Sequence, residues 1–239
     1  MKFKRLIVLI LLLMVLLTTA SFGSDVGGNP DAYLLRKGYE LSPEGLTETF
    51  KAVDPVAVTE CLNYVDKMAT NKSDYSVLIP YIEQYEGKLP NLPIAEGSRM
   101  VCIALRFVIQ GNSMAPADRD RYVSRIRENL FVKDARHGAY SFSYKALLIA
   151  QKYIGLDIKD DLLYLAQSGS MNSLSKASAV AGPVRDLFAL YPDRITPQEA
   201  RDLHDAWPNN PKIQDHIRLH ANSRGFLLEL NSSESPSTP

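Results

Sequence analysis

The sequence lacks the short motifs that identify most catalytic and nucleotide-binding proteins. It has no glycine-rich phosphate loop, no Gly-x-Ser-x-Gly elbow, no His-Glu-x-x-His zinc helix and no closely spaced cysteine pair. It also has no sustained alternation of polar and apolar residues, which is the pattern of a β-strand. The sequence therefore predicts an all-α protein without a cofactor, and it favours a binding role over an enzymatic one.

The chain also lacks an excess of positive charge. Its 27 lysine and arginine residues equal its 27 aspartate and glutamate residues in number. Removal of residues 1–23 takes away three basic residues and leaves 24 basic against 27 acidic residues, a net charge of −3. Because nucleic-acid binding depends on a basic footprint, nucleic acid is not expected as a partner.

Only one long apolar run is present, and it lies near the N-terminus. Leu6–Leu17 is twelve residues long, whereas a membrane-spanning helix needs ~20 residues. Three basic residues precede the run and small residues follow it, which is the pattern of a secretory signal peptide. Residues 1–23 therefore predict export to the periplasm or the medium. An uncleaved N-terminus, which would make the chain a membrane-tethered structural subunit, stays open as an alternative.

The stretch from Ser42 to Met68 predicts a pair of short helices. Ser42-Pro43 and Asp54-Pro55 are both helix start signals, with a capping side chain followed by proline at the first helical position. Each start is followed by apolar residues at helical spacing, and neither helix is long enough to be stable alone. The pair therefore needs neighbours to cover its apolar faces.

Four further helix pairs follow along the chain. They are expected over residues 73–110, 116–154, 158–190 and 196–222. Residues 94–110 are apolar on most sides, which predicts a central helix. The chain thus divides into residues 1–23 (signal peptide), 24–41 (an extended segment), 42–222 (a helical-repeat domain) and 223–239 (a tail with a disordered end).

Five helix–turn–helix units of irregular spacing resemble the HEAT repeat family and its PBS-lyase-type bacterial relatives. The resemblance rests on the Asp54-Pro55 turn, on Arg99 early in a second helix, and on small residues at the centre of four second helices: Cys61, Cys102, Ala146 and Ala179. It implies an α-solenoid of about five antiparallel helix pairs. An irregular helical bundle is the alternative architecture.

The resemblance also implies a scaffold that binds a protein or peptide on the face lined by its second helices. Polar residues projecting from those helices are the candidate partner-binding residues: Asp66, Arg99, Arg106, Lys145 and Lys152. For each of them, an ordinary solvated surface position is the alternative reading.

Histidines near the C-terminus provide a weaker, metal-based alternative. His216 and His220 are four residues apart and share one face of a helix, and His204 lies on the preceding helix. Zinc needs three or four converging ligands, so the pair is half of a site. If His204 completed it, the chain would be a metal-dependent hydrolase; otherwise these are incidental histidines on a capping helix.

The sequence has two cysteines, Cys61 and Cys102. Export permits a disulfide, but equivalent positions on stacked helices lie about 8–10 Å apart, and a disulfide requires Cα atoms within about 7 Å. We therefore expect two buried, unbonded thiols in apolar surroundings.

Overall fold

The computed structural model describes residues 30–131, 139–168 and 177–225. Within these ranges the chain is helical and no residue lies in a strand, which confirms the all-α prediction. The predicted signal peptide and the tail beyond residue 225 lie outside the described residues. The chain divides into two compact units, Met1–Leu156 and Asp157–Pro239, and the predicted repeat domain spans both.

Seven α helices form the described part of the first unit. They are α1 (Pro30–Arg36), α2 (Thr47–Lys51), α3 (Pro55–Lys67), α4 (Ile79–Lys88), α5 (Glu96–Gln110), α6 (Pro116–Leu130) and α7 (Ala139–Ile154). Short 3-10 helices occupy Lys72–Leu78, Pro93–Ala95 and Gly111–Ser113. Pro80 lies in the first turn of α4, so it marks the late helix start that the sequence allowed.

Helix α5 is the centre of this unit. It packs against α3 on one side and α7 on the other, and it also contacts α4, α6 and the 3-10 helix Lys72–Leu78. The unbroken run Met100–Ile109 is buried. Since ten consecutive helical residues cover every side of a helix, α5 is enclosed all round, as its apolar sequence predicts.

Four α helices form the described part of the second unit. They are α8 (Lys159–Ser168), α9 (Ala177–Leu190), α10 (Pro197–Asp205) and α11 (Pro211–Asn222). Pro183 lies inside α9 without interrupting it. The Trp207 indole donates from Nε1 to the Ala166 carbonyl at 2.9 Å, and the Ile158 amide donates to the Tyr191 hydroxyl at 2.8 Å, so two buried hydrogen bonds tie α8 and the residue before it to the rest of the unit.

The predicted helix starts at Asp54-Pro55 and at residue 196 are confirmed. Asp54 Oδ1 accepts from the amides of Val56 and Ala57 at 3.0 and 3.2 Å, and so caps α3. Thr196 and Glu199 form a reciprocal capping box at the start of α10. In both cases a side chain satisfies amides that have no partner within the helix.

Two local predictions are wrong. The segment 24–41, expected to be extended, contains α1, whose Leu34 is fully buried and whose residues pack against α3. Helix α2 begins at Thr47 rather than near Ser42, because Ser42 closes a turn instead, with its hydroxyl accepting from the Gly45 amide at 3.0 Å. Tertiary packing thus stabilises a helix within the segment that was predicted to be extended.

The two helices of each predicted pair contact each other: α2 with α3, α4 with α5, α6 with α7, α8 with α9, and α10 with α11. Second helices of successive pairs also pack side by side, as α3–α5–α7 in the first unit and α9–α11 in the second. The candidate site lies on the row α3–α5–α7 of the first unit.

Candidate functional site

Three of the five candidate partner-binding residues lie together, on helices that flank α5. Asp66 is on α3, and Lys145 and Lys152 are on α7. Asn63, Lys67 and Tyr153 complete the group. We call the surface made by these six residues the α3–α7 face: Asn63, Asp66, Lys67, Lys145, Lys152 and Tyr153.

Asp66 accepts two hydrogen bonds at one end of the α3–α7 face. Its Oδ1 accepts from Lys152 Nζ at 2.8 Å and from the Tyr153 hydroxyl at 2.7 Å. Burial opposes ionisation of Asp66, but these hydrogen bonds and the charges of Lys152 and Lys145 outweigh it and hold the pKa of Asp66 below its usual value. The carboxylate is therefore ionised and already occupied by two donors.

Lys145 has a different environment at the other end of this face. Its ammonium donates to Asn63 Oδ1, the side chain of a buried neutral residue, and Asn63 Nδ2 in turn donates to Glu60 Oε2 at 3.0 Å. Burial and the nearby charge of Lys67 lower the pKa of Lys145, and they outweigh the opposing charges of Asp66 and Glu60. Lys145 is thus a half-buried cation whose direct partner is an amide.

The order of these contacts along the two helices gives the relative direction of α3 and α7. Asn63 meets Lys145, and one turn further along α3, Asp66 meets Lys152 and Tyr153. Both helices therefore run in the same direction, and their side chains meet over α5. This contact explains why α5 is buried on that side as well.

Arg99 lies apart from the α3–α7 face, in a network around Glu96. It donates to Glu96 Oε1 at 2.7 Å and to the carbonyls of Leu89 and Pro90 at 3.3 and 2.8 Å. Arg125 from α6 also holds Glu96, at 3.0 Å. An open polar depression of about 500 Å³ lies beside this network, lined by Glu96, Arg121, Ser124, Arg125, Glu128 and Asn129.

Arg106 does not project into solvent, which corrects the expectation for this residue. Its side chain is only 5% exposed, pairs with Glu86 of α4 at 2.6 Å, and lies 5.5 Å from the centre of the Tyr122 ring of α6. A buried charge needs such partners to offset its lost hydration. Arg106 therefore joins α4, α5 and α6 rather than offering a free charge.

The C-terminal histidines are engaged with α9. The ring centres of His216 and His220 are 4.7 Å apart, His216 donates from Nε2 to the Ala181 carbonyl at 3.1 Å, and His220 stacks on Phe188 at 5.8 Å. His204 instead places Nδ1 3.1 Å from Asp205 Oδ1. Within the described ranges, no three His, Cys, Asp or Glu side chains are grouped so that they would hold a metal ion.

Both cysteines are free and fully buried, on adjacent helices α3 and α5. Burial raises the pKa of the Cys61 thiol to about 12 and also raises that of Cys102. The thiolate is the reactive form of cysteine. Both thiols therefore behave as small core residues, as the sequence indicates.

Sequence reasoning missed three residues of the α3–α7 face. Asn63 is buried against Lys145. Tyr153 binds Asp66 through its hydroxyl. Lys67 is exposed next to Asp66. Polar side chains at helical spacing on both helices were the available signal, but such spacing pairs residues only once the two helices are known to be neighbours.

Comparison with protein family models, with curated proteins and with solved structures finds no match for this chain. No helix in the described part of the chain is long and apolar enough to cross a membrane. The functional argument therefore rests on the residues themselves.

Proposed function

We propose that this chain is an exported helical-repeat protein that binds a protein or peptide partner, and that the α3–α7 face is its binding surface. The observation that carries the proposal is the placement of three charged candidates, Asp66, Lys145 and Lys152, on one surface made by two second helices. Lys67 and Lys152 are exposed there, and Met68, with 49% of its surface exposed, adds an apolar contact. Charged groups beside an exposed apolar side chain suit specific protein recognition.

The finer architecture within this proposal is an α-solenoid of about five antiparallel helix pairs. Pairing of first with second helices, and side-by-side packing of α3–α5–α7 and of α9–α11, support it. The enclosure of α5 by α3 and α7 is the feature that favours the bundle alternative for the first unit. In either case the second helices α3 and α7 carry the proposed surface.

Export belongs to the same proposal. It rests on the basic residues, the apolar run and the small residues within positions 1–23. An exported repeat protein without a cofactor acts by contact, so its partner is expected in the same compartment.

A pair of charge reversals tests the proposal. Lys67 and Lys88 are both exposed and both lie in the last turn of a helix, so reversing either one costs a similar helix-dipole energy. The tagged protein, isolated after cross-linking in its native compartment, should retain one dominant partner when Lys88→Glu is made and lose it when Lys67→Glu is made. Equal retention by both variants would contradict the α3–α7 face as the binding surface.

A further inference from the structure

Lys145 is the group on the α3–α7 face whose charge is least well compensated. Its contact is the neutral amide of Asn63, and within the described residues no carboxylate oxygen forms an ion pair with it. The nearest carboxylate along α3, Asp66, is occupied by Lys152 and Tyr153. A half-buried ammonium in this position has lost part of its hydration without gaining an ion pair.

The neighbouring charges act on Lys145 in both directions. Lys67 on α3 repels its positive charge, whereas Asp66 and Glu60 attract it. Asp66 is already paired with Lys152, and Glu60 accepts a hydrogen bond from Asn63. The charged residues of α5, namely Glu96, Arg99 and Arg106, are bound to partners on α4, on α6 and in the turn after α4. Three lysines, Lys67, Lys145 and Lys152, therefore stand against two carboxylates, Asp66 and Glu60, and Glu96 of α5 is already paired with Arg125.

We propose that an acidic segment of the protein partner places a carboxylate against Lys145, with Lys67 supplying the second positive charge. This inference rests on the proposed function and specifies the chemistry of its partner. The carboxylate would supply the ion pair that the described residues do not supply, while exposed Met68, next to Lys67, contacts the apolar part of the same segment. Asp66 fixes the orientation of Lys152 and repels a carboxylate that is placed wrongly, which favours one register.

Nuclear magnetic resonance of the full mature chain, labelled with ¹³C and ¹⁵N in lysine, tests the carboxylate site with glutarate as the probe. An opposite charge within 4–6 Å favours the charged form of an amine, so saturating glutarate should raise the pKa of Lys145 by about 1 unit. Glutaramide, which has the same size without charge, should have no effect, and the amine signal of Lys88 serves as the control on the same protein. Lys67→Gln should weaken the glutarate response, and circular dichroism confirms that this variant is folded.

Two outcomes would overturn the inference. One is an unchanged Lys145 signal at saturating glutarate concentrations, and the other is a response to inorganic phosphate that glutarate does not give. If either outcome occurs while Lys67→Glu still abolishes partner capture, the inference that a partner carboxylate binds Lys145 is wrong and the proposed function stands. If glutarate binds but the capture of every partner is independent of Lys67, the proposal that this face binds a protein partner is contradicted, and with it the proposed function.

Discussion

Lys152 Nζ lies 2.8 Å from Asp66 Oδ1, although 86 residues separate the two along the chain. The contact joins α3 to α7, two helices that both pack against α5. It thereby closes one side of the central helix and sets the relative position of the charged groups on the α3–α7 face. The proposed binding surface therefore depends on the tertiary fold of the whole first unit.

The Asp66–Lys152 pair should contribute measurably but modestly to stability. The Asp66 side chain is 15% exposed and that of Lys152 is 56% exposed, so solvent screens the ion pair. We expect a coupling energy of about 0.5 kcal/mol between Asp66→Asn and Lys152→Met in a double-mutant cycle. Asp66→Asn alone should cost more, about 1 kcal/mol, because the Tyr153 hydroxyl also loses its charged acceptor. Urea unfolding followed by circular dichroism measures both values, and a coupling of zero would contradict a stabilising interaction between Asp66 and Lys152.

Alanine substitutions at two helical glycines should change the stability of the chain in opposite directions. A Cβ added at Gly97 would lie 2.9 Å from the Phe142 ring, which is closer than carbon atoms approach without rearrangement, whereas a Cβ added at Gly87 meets nothing within 4 Å. Gly97→Ala is expected to destabilise the chain by about 1–3 kcal/mol. Gly87→Ala should stabilise it by about 0.5–1 kcal/mol, because alanine has the higher helix propensity. Thermal unfolding of the two variants side by side tests the close packing of α5 on α7; equal shifts would argue against it.

Stability should depend on pH through Lys145. Because burial and Lys67 lower its pKa in the folded chain, the unfolded chain binds more protons between that pKa and the unfolded value of about 10.4. The free energy of unfolding of the wild type, relative to Lys145→Met, should therefore rise with pH through this window and level off above it. Urea midpoints of both proteins measured from neutral pH upward give the difference, and a difference that falls with pH would contradict the half-buried environment of this amine.

Acidification should destabilise the second unit through His220. Burial, with the charges of His216 and Arg185, lowers the pKa of His220 below its ordinary value of 6.5. The unfolded state thus binds more protons between the folded pKa and 6.5, and stability should fall as the pH decreases through that range. The fluorescence of Trp207, the only tryptophan in the chain, reports this unit. His220→Gln should reduce this dependence of stability on pH. A wild-type protein whose stability does not change with pH across the same range would contradict the prediction.

The helices could be predicted from the sequence because their signals are local. Helix α6 begins at Pro116, where the third predicted pair starts, and the capping of α3 by Asp54 needs only neighbouring residues. The start of α2 was missed since Ser42 can either cap a helix or close a turn, and packing decides between them. Val53 shows the same limit: its φ of 55° makes the turn into α3, although nothing about valine favours a left-handed conformation.

The candidate site was predictable only in part. Asp66, Lys145 and Lys152 were selected as polar residues of second helices, and the structure brings these three together. Arg99 and Arg106 were selected by the same reasoning, but they engage Glu96 and Glu86. Arg99 and Arg106 lie on α5 itself, and the other three residues lie on α3 and α7. Periodicity identifies a face of a helix but not the neighbouring helix that covers this face.

Site-specific photo-crosslinking tests the central claim most directly. A photoreactive p-benzoylphenylalanine is placed either at Lys67, on the α3–α7 face, or at Glu83, an exposed position on α4. We predict that light forms one dominant covalent adduct from position 67 in the native compartment and none from position 83, and that the crosslinked peptide is rich in Asp and Glu. Adducts of equal yield from both positions, or none from position 67, would contradict the α3–α7 face as the surface that binds the partner.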